Sequence, residues 1–248
     1  MSDEKQDKRI SILREYVDSL LVTVILALFG ITFLVQAFKI PSQSMEETLL
    51  VGDHLLVNKF VFAETNGGGP PLLPYRDVRR GDIIVFKYPF PPHQHFVKRV
   101  IGLPGDRLMI VERQVYINGE PLKEPYKIHR SGAYSSSVAD DFPPPEGSYY
   151  SRMEGSWREQ LELLREGDGI VIPKGKYFVM GDNRDNSQDS RYWGRVDRDN
   201  IIGRPLLIYW SFDTGERRAG RPGDDRRNAG GNGVFARTRW NRLLRLVR

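Results

Sequence analysis

The chain opens with one long apolar run and continues as a succession of short ones. Residues 19–38, SLLVTVILALFGITFLVQAF, carry no charge. As an α-helix rising about 1.5 Å per residue they would be roughly 30 Å long, the thickness of a bilayer's hydrocarbon core. The run predicts a transmembrane helix over 19–38. A cleaved leader is the competing reading, but its apolar stretch spans about 7–15 residues and ends in small ones. This run is longer and closes Val-Gln-Ala-Phe-Lys, which favours a retained anchor. Residues 1–18 are polar and include Lys5, Lys8, Arg9 and Arg14, whereas Lys39 stands alone just behind the run. That bias predicts residues 1–18 in the cytoplasm, with everything from Lys39 onward outside, in a single-pass arrangement.

Beyond Lys39 the apolar runs are short and rich in branched and aromatic residues: 54–57, 82–86, 96–101, 108–111, 114–117, 177–180 and 206–210. Gly, Pro and Asp punctuate them, and Asn118-Gly119 is a tight-turn signal. Strands without intervening helices predict an all-β, mostly antiparallel β-sheet core rather than a βαβ sheet. The core is expected in two parts, 39–119 and 173–216. Residues 120–172, rich in Pro, Gly, Ser and Tyr, read as an inserted small subdomain with one helical candidate at 157–165. Residues 64–74 (ETNGGGPPLLP) read as a flexible loop. At the C-terminus, Trp240, Leu243, Leu244 and Val247 recur at helical spacing with Arg239, Arg242 and Arg245 between them. This predicts a short basic amphipathic helix, either lying on anionic lipid or else solvated or docked on the core.

Composition changes the picture in two places. A net charge of +5 invites a nucleic-acid reading, but residues 217–248 hold ten Arg against two Asp, leaving the body of the chain at −3. The basicity belongs to a C-terminal tail, and no nucleic-acid partner is expected. There is no cysteine, which excludes disulfides and thiolate metal sites.

The candidate chemistry starts at Ile40-Pro41-Ser42-Gln43-Ser44-Met45, just past the apolar run. A serine hydroxyl needs a base to act as a nucleophile. Of His54, His93, His95 and His129, none stands in a recognisable Ser-His-Asp motif. Lysine is the other option, in His95-Phe96-Val97-Lys98-Arg99-Val100. Strand alternation puts Lys98 with Phe96 and Val100, and Arg99 with Val97 and Ile101, so periodicity does not choose between the two cations. Chemistry does: arginine keeps its proton in a protein, whereas a desolvated lysine loses it. Bringing a lysine from about 10.4 to about 7 requires roughly 4.6 kcal/mol of selective destabilisation of its charged form. Apolar neighbours supply this, and a close carboxylate would undo it. The bland alternative is a lysine that snorkels off a strand. A third piece is Gly181-Asp182-Asn183-Arg184-Asp185-Asn186-Ser187-Gln188-Asp189-Ser190-Arg191. It lacks the Gly and distal Glu of a calcium-binding EF-hand at the required places.

Together the segments PSQSMEETL, RGDIIVF (80–86), KRVIGLPGD (98–106) and GDNRDNSQDSR (181–191) resemble bacterial type I signal peptidases, membrane-bound Ser-Lys proteases that remove leader sequences. The resemblance runs from about residue 38 to the WSF at 210–212 and implies a role for each matching position. Ser44 would be the nucleophile and Lys98 its general base. Ser42 Oγ and the Ser44 N–H would form the oxyanion hole. Ser187 would orient Lys98, with Arg99, Gly181, Asp182, Asp189 and Arg191 as supporting ion pairs and loop. Phe38, Ile40, Met45, Leu49, Val85, Phe96 and Val97 would line shallow pockets for small residues. It implies no metal and no cofactor, exported preproteins and the lipid bilayer as partners, and a place in the bacterial inner membrane. One departure is Glu47, where many family members have Pro; another is the single anchor where some members have two. Residues 120–172 match no motif. A dedicated Ser-Lys peptidase for a few substrates and a non-catalytic membrane-anchored binding module are the alternatives.

Overall fold

The computed structural model describes residues 2–30, 35–62, 75–91, 94–130, 141–148, 152–214 and 237–247. The expected loop at 64–74, His93 and residues 217–236 of the basic tail lie outside the described residues. The chain divides into two units, Met1–Gln36 and Ala37–Arg248. The first contains helix α1 (Ser2–Phe29). The helical stretch expected over 19–38 has other limits. The helix begins in the charged N-terminal segment and stops at Phe29; residues 31–34 lie outside the described residues, and Val35–Lys39 is a strand, β1. Among the described residues no helix is long and apolar enough to cross a membrane. The end of the apolar run is taken by the sheet: just past β1, the Ile40 N–H donates to the Asp53 carbonyl at 2.9 Å.

The remaining strands are β2 (Asp53–Asn58), β3 (Ile83–Lys87), β4 (His95–Gly102), β5 (Arg107–Val111), β6 (Gln114–Ile117), β7 (Glu120–Pro121), β8 (Arg165–Glu166), β9 (Gly169–Val171), β10 (Lys176–Met180), β11 (Val196–Asp197), β12 (Ile201–Ser211) and β13 (Arg245–Leu246). One sheet has the order β1-β2-β12-β3-β4-β10-β11, with β13 added to β12. A second has the order β7-β6-β5-β9-β8. The ladders β2–β12, β3–β12, β3–β4, β4–β10 and β5–β6 are antiparallel. The architecture is therefore the mostly antiparallel β core that the strand pattern predicts.

Burial follows from composition. In β2 every second residue is buried, as expected of a strand with one face on the core, whereas the four apolar residues of β3 are all buried, as in a central strand. β12 passes from β3 to β2 through register shifts, one of them at Pro205, where a residue without an N–H is tolerated. Asn118 and Gly119 both adopt positive φ and close β6 onto β7, the backbone that an Asn-Gly pair is suited to. Helix α2 (Gly155–Leu164) falls close to its expected place and buries Trp157 and Leu161, four residues apart on one face. It packs with Ile110, Val115, Ile170 and Phe178 into a core under the second sheet.

The C-terminal helix is also corrected. Residues 240–242 form a single 3₁₀ turn, Leu244 takes a left-handed φ of 55°, and Arg245–Leu246 pairs antiparallel with Leu207 and Ile208 of β12. The cause is a buried charge. Asp53 is fully enclosed, and Arg242 reaches it through Nε at 3.1 Å and Nη2 at 2.5 Å. An arginine needed inside at position 242 is incompatible with a helix that keeps its arginines on an outer face.

The fold gathers the elements of interest at β4. Lys98 stands opposite Ile84, and Arg99 lies between Ile83 and Met180. β10 pairs with β4 only as far as Met180, so the chain leaves the sheet at Gly181, beside Lys98. The loop carrying Ser44 joins β1 to β2.

Candidate active site

Residues 42–49 form a compact turn between β1 and β2. The N–H of Glu46 donates to the Gln43 carbonyl at 3.0 Å and that of Leu49 to the Met45 carbonyl at 2.7 Å. Met45 and Leu49 point into an apolar cluster with Ile40, Leu55, Val57, Ile83 and Val85, which presses the turn onto the sheet. Ser44 is only 7% exposed as a result. Its carbonyl accepts the Asn183 N–H at 3.1 Å, its hydroxyl lies 3.3 Å from that of Ser42, and Lys98 Nζ is hydrogen-bonded to Ser44 Oγ at 2.6 Å.

Lys98 is 4% exposed. Burial pushes its amine down from the ordinary lysine value to about 8, against the pull of Asp189 and Asp182 and with help from Arg191. The size of that drop corresponds to about 3 kcal/mol of destabilisation of the ammonium. Both carboxylates that oppose it are already engaged. Arg99 grips Asp182 through Nε at 2.8 Å and Nη2 at 2.7 Å. Arg191 grips Asp189 through Nε and Nη2, each at 2.9 Å. Burial works against the charge on Asp189, but Arg191, the Gly181 N–H and Lys98 outweigh it and hold the carboxyl below its usual range. Among the described residues no carboxylate forms an ion pair with Lys98. Once the ammonium sheds its proton, the nitrogen lone pair faces the Ser44 hydroxyl.

Gly181 is required by space. A Cβ there would collide with Ser187 Oγ, with Ser187 Cβ at 2.6 Å and with the Ser44 carbonyl oxygen at 2.5 Å. Ser187 is fully buried, yet its Oγ has no hydrogen-bond partner, so the expected bond to Lys98 is not made. Of the expected pocket residues, Phe38, Ile40, Met45, Leu49, Val85 and Val97 share one apolar cluster. Phe96 does not join them. It packs in the neighbouring cluster with Phe86 and Tyr88, its ring centroid 5.6 Å from Lys98 Nζ. Of the histidines described, His54 meets Tyr209, His95 meets Phe38 edge-on, and His129 bonds Asp185 at 2.9 Å; none bonds Ser44.

The family model described as "Signal peptidase, peptidase S26" matches residues 13–210. The chain belongs to this family. It is 38% identical over 225 residues to a signal peptidase I of Pseudomonas aeruginosa, covering 84% of this chain and 76% of that protein. It is 35% identical over 231 residues to a signal peptidase I of Aquifex aeolicus, covering 80% and 85%. The crystal structure of a signal peptidase I from Enterococcus faecalis is 32% identical and covers 52% of this chain and 97% of that one, with a TM-score of 0.36.

In this signal peptidase family chain, several residues of the site lie inside or beside the motifs without having been given a role. Thr48 Oγ1 donates to Asp182 Oδ2 at 2.6 Å, tying the serine turn to the Arg99 ion pair. Asn183 holds the turn from the other side, through its N–H to Ser44 and its Nδ2 to the Gln43 carbonyl at 3.3 Å. Glu47, where the family pattern leads one to expect proline, has a φ of 76°, a left-handed backbone that costs a side-chain-bearing residue roughly 1–2 kcal/mol. A segment at 124–130 runs along the Gly181 loop and meets the serine turn at its end. Within it the Ile128 N–H donates to the Asp182 carbonyl at 2.8 Å, and Arg130 pairs with Glu46 and Glu47. The motif at 181–191 is the available signal for half of these contacts. Residues 124–130 carry none.

Proposed function

We propose that this chain is a serine endopeptidase that removes signal peptides from exported preproteins, with Ser44 and Lys98 as its catalytic pair. The observation that carries the reading is the 2.6 Å contact between Lys98 Nζ and Ser44 Oγ, made by an amine that burial holds near a pKa of about 8. At neutral pH about a tenth of such an amine is unprotonated, against less than a thousandth for an ordinary lysine.

In the first step neutral Lys98 takes the Ser44 hydroxyl proton as Oγ bonds to the scissile carbonyl carbon. The oxyanion so formed is met by the Ser44 N–H and the Ser42 hydroxyl, a donor pair in which each contributes about 3–4 kcal/mol by analogy with other proteases. The C–N bond then breaks, and the Lys98 ammonium returns its proton to the departing amine, which becomes the new N-terminus of the mature protein. Water attacks the Ser44 ester with Lys98 again as base, releasing the leader's carboxylate and restoring the hydroxyl. Small residues at the −1 and −3 positions of an Ala-x-Ala leader would meet a wall of partly buried Phe38 and Val97, backed by Ile40, Met45, Leu49 and Val85 in the core. Phe96, in the adjoining cluster, contributes to the setting of Lys98 rather than to that wall. Gly181, Asp189 and Arg191 hold the loop beside Ser44 in place.

Anchoring completes the reading. The uncharged run at 19–38 and the many exposed apolar side chains of α1, among them Leu20, Leu21, Ile25, Leu26 and Phe29, support insertion into the inner membrane, N-terminus inside. Ser44 follows the run by six residues, which confines the site near the bilayer surface where leader sequences emerge. The test is incubation of the detergent-solubilised protein with a preprotein, reading new N-termini by mass spectrometry. A single cut after Ala-x-Ala that vanishes in Ser44→Ala is expected. Absence of any cut, or a cut that survives Ser44→Ala, overturns the proposal.

A further inference from the structure

We propose that Arg130 is a positioning residue for the nucleophile, fastening the Ser44 turn to the loop that faces Lys98; the inference rests on the peptidase reading above. Two neighbouring carboxylates follow Ser44. Glu46 is buried and Glu47 is exposed, and Arg130 reaches both, through Nη1 to Glu46 Oε1 at 3.1 Å and through Nη2 to Glu47 Oε1. Glu47 is also the residue held in the left-handed region at φ 76°. A strained backbone in a side-chain-bearing residue persists only where its surroundings over-determine it. Arg130 supplies such a restraint, and it neutralises the repulsion between the two adjacent carboxylates.

The other end of the connection is equally well held. Arg130 ends a segment bonded along its length to the Gly181 loop. Arg184 forks buried Glu124, with Nη1 to Oε2 at 3.1 Å. The Arg99 guanidinium lies 4.0 Å from the centroid of the Tyr126 ring. The Ile128 N–H donates to the Asp182 carbonyl at 2.8 Å, and its own carbonyl accepts the Arg184 N–H at 3.0 Å. His129 bonds Asp185 at 2.9 Å. Asn183, on the same loop, donates its N–H to the Ser44 carbonyl. The contacts thus close a ring: serine turn, Arg130, residues 124–130, the Gly181 loop, and back to Ser44. Thr48 on Asp182 at 2.6 Å and Asn186 Nδ2 on Gln43 Oε1 at 3.2 Å grip the turn at its two ends, and Arg130 grips its middle through Glu46 and Glu47, so its loss loosens that middle while the sheet and Lys98 stay where they are. Displacing a reacting atom by an ångström is enough to slow a reaction about a hundredfold without weakening substrate binding. The signature of such a residue is therefore a fall in kcat with KM unchanged.

The experiment compares wild type with Arg130→Ala, Arg130→Lys, Glu47→Gln and the double variant Arg130→Ala/Glu47→Gln, all full-length in detergent. It measures kcat and KM on a signal-peptide substrate and amide hydrogen exchange by mass spectrometry. Arg130→Ala should lower kcat about ten- to a hundredfold with KM within about twofold. Exchange should quicken in 43–50 and stay unchanged in 176–180, and Arg130→Lys should recover part of the rate. Glu47→Gln should lose less and add little to Arg130→Ala, because the two act through one contact. The inference is overturned by a kcat within about twofold of wild type in Arg130→Ala, by a loss that falls on KM, or by unaltered exchange in 43–50. A wild type that cleaves nothing would sink the peptidase reading alone, since the exchange comparison still decides whether Arg130 holds the turn.

Discussion

Arg99 grips the carboxylate of Asp182 with two hydrogen bonds, at 2.8 and 2.7 Å, one residue along the strand from Lys98. Two adjacent cations on β4 thereby receive opposite treatment: one is matched with a carboxylate and the other is left with a hydroxyl. Asp182 pulls the Lys98 amine upward; a guanidinium held against that carboxylate opposes its charge at Lys98. Replacing Arg99 by Met leaves the buried aspartate without its cation. The acid limb of kcat/KM should move to higher pH, so that activity lost at pH 7, about tenfold for each pH unit the limb moves, returns at pH 9. Melting temperature should fall as well, since breaking a buried pair costs about 3–5 kcal/mol. A pH profile unmoved from wild type would show that Asp182 does not act on Lys98.

Lys98 should be a stability burden. Its folded pKa of about 8 lies below the unfolded value, so between those two the unfolded chain binds more protons and stability rises with pH. Below pH 8 the full penalty of about 3 kcal/mol is present; above about pH 10.5 it is gone. Lys98→Met should therefore raise the melting temperature at pH 7, flatten its dependence on pH between 8 and 10, and abolish turnover. Thermal unfolding across that range checks it, and a destabilised Lys98→Met at pH 7 would contradict it.

Gly181→Ala probes the close approach of loop and nucleophile. The added methyl meets backbone at the Ser44 carbonyl as well as the Ser187 side chain, so trimming Ser187 alone does not make room. Activity should fall at least about a hundredfold through displacement of Ser44. Far-ultraviolet circular dichroism should be unchanged, because Gly181 lies past the end of β10.

Much of this arrangement is legible in the amino-acid sequence. Most short apolar runs become strands close to their expected limits, because residues such as Ile83–Phe86 have nowhere to go but a buried strand, whereas the run read at 206–210 extends back to Ile201. Lys98 is distinguishable from Arg99 by chemistry, although alternation is silent. What is not legible depends on partners far away along the chain. The helical spacing of Trp240, Leu243, Leu244 and Val247 is real, but Asp53 draws Arg242 inward across 189 positions and the backbone follows it into a turn and a strand. The last residues of the apolar run, which read as helix, are claimed by β2. Residues 124–130 carry no local pattern, since their partners at 46–47 and 182–185 lie in other loops.

The Arg242–Asp53 pair gives a stability test of its own. Arg242→Ala strands a fully buried carboxylate and unfastens β13, and should cost about 3–5 kcal/mol, read as a lowered denaturant midpoint. An unchanged midpoint would mean that the C-terminal residues dock without energetic consequence.

The most direct test of the central claim is titration of the Lys98 amine itself, by following the ¹³Cε resonance of labelled lysine in the folded protein, with Lys98→Met to assign it. The account predicts one lysine signal with a midpoint near 8, well separated from the others, and a fall in kcat/KM with the same midpoint as pH is lowered. A Lys98 signal that titrates with the ordinary lysines, near 10.5, would contradict it.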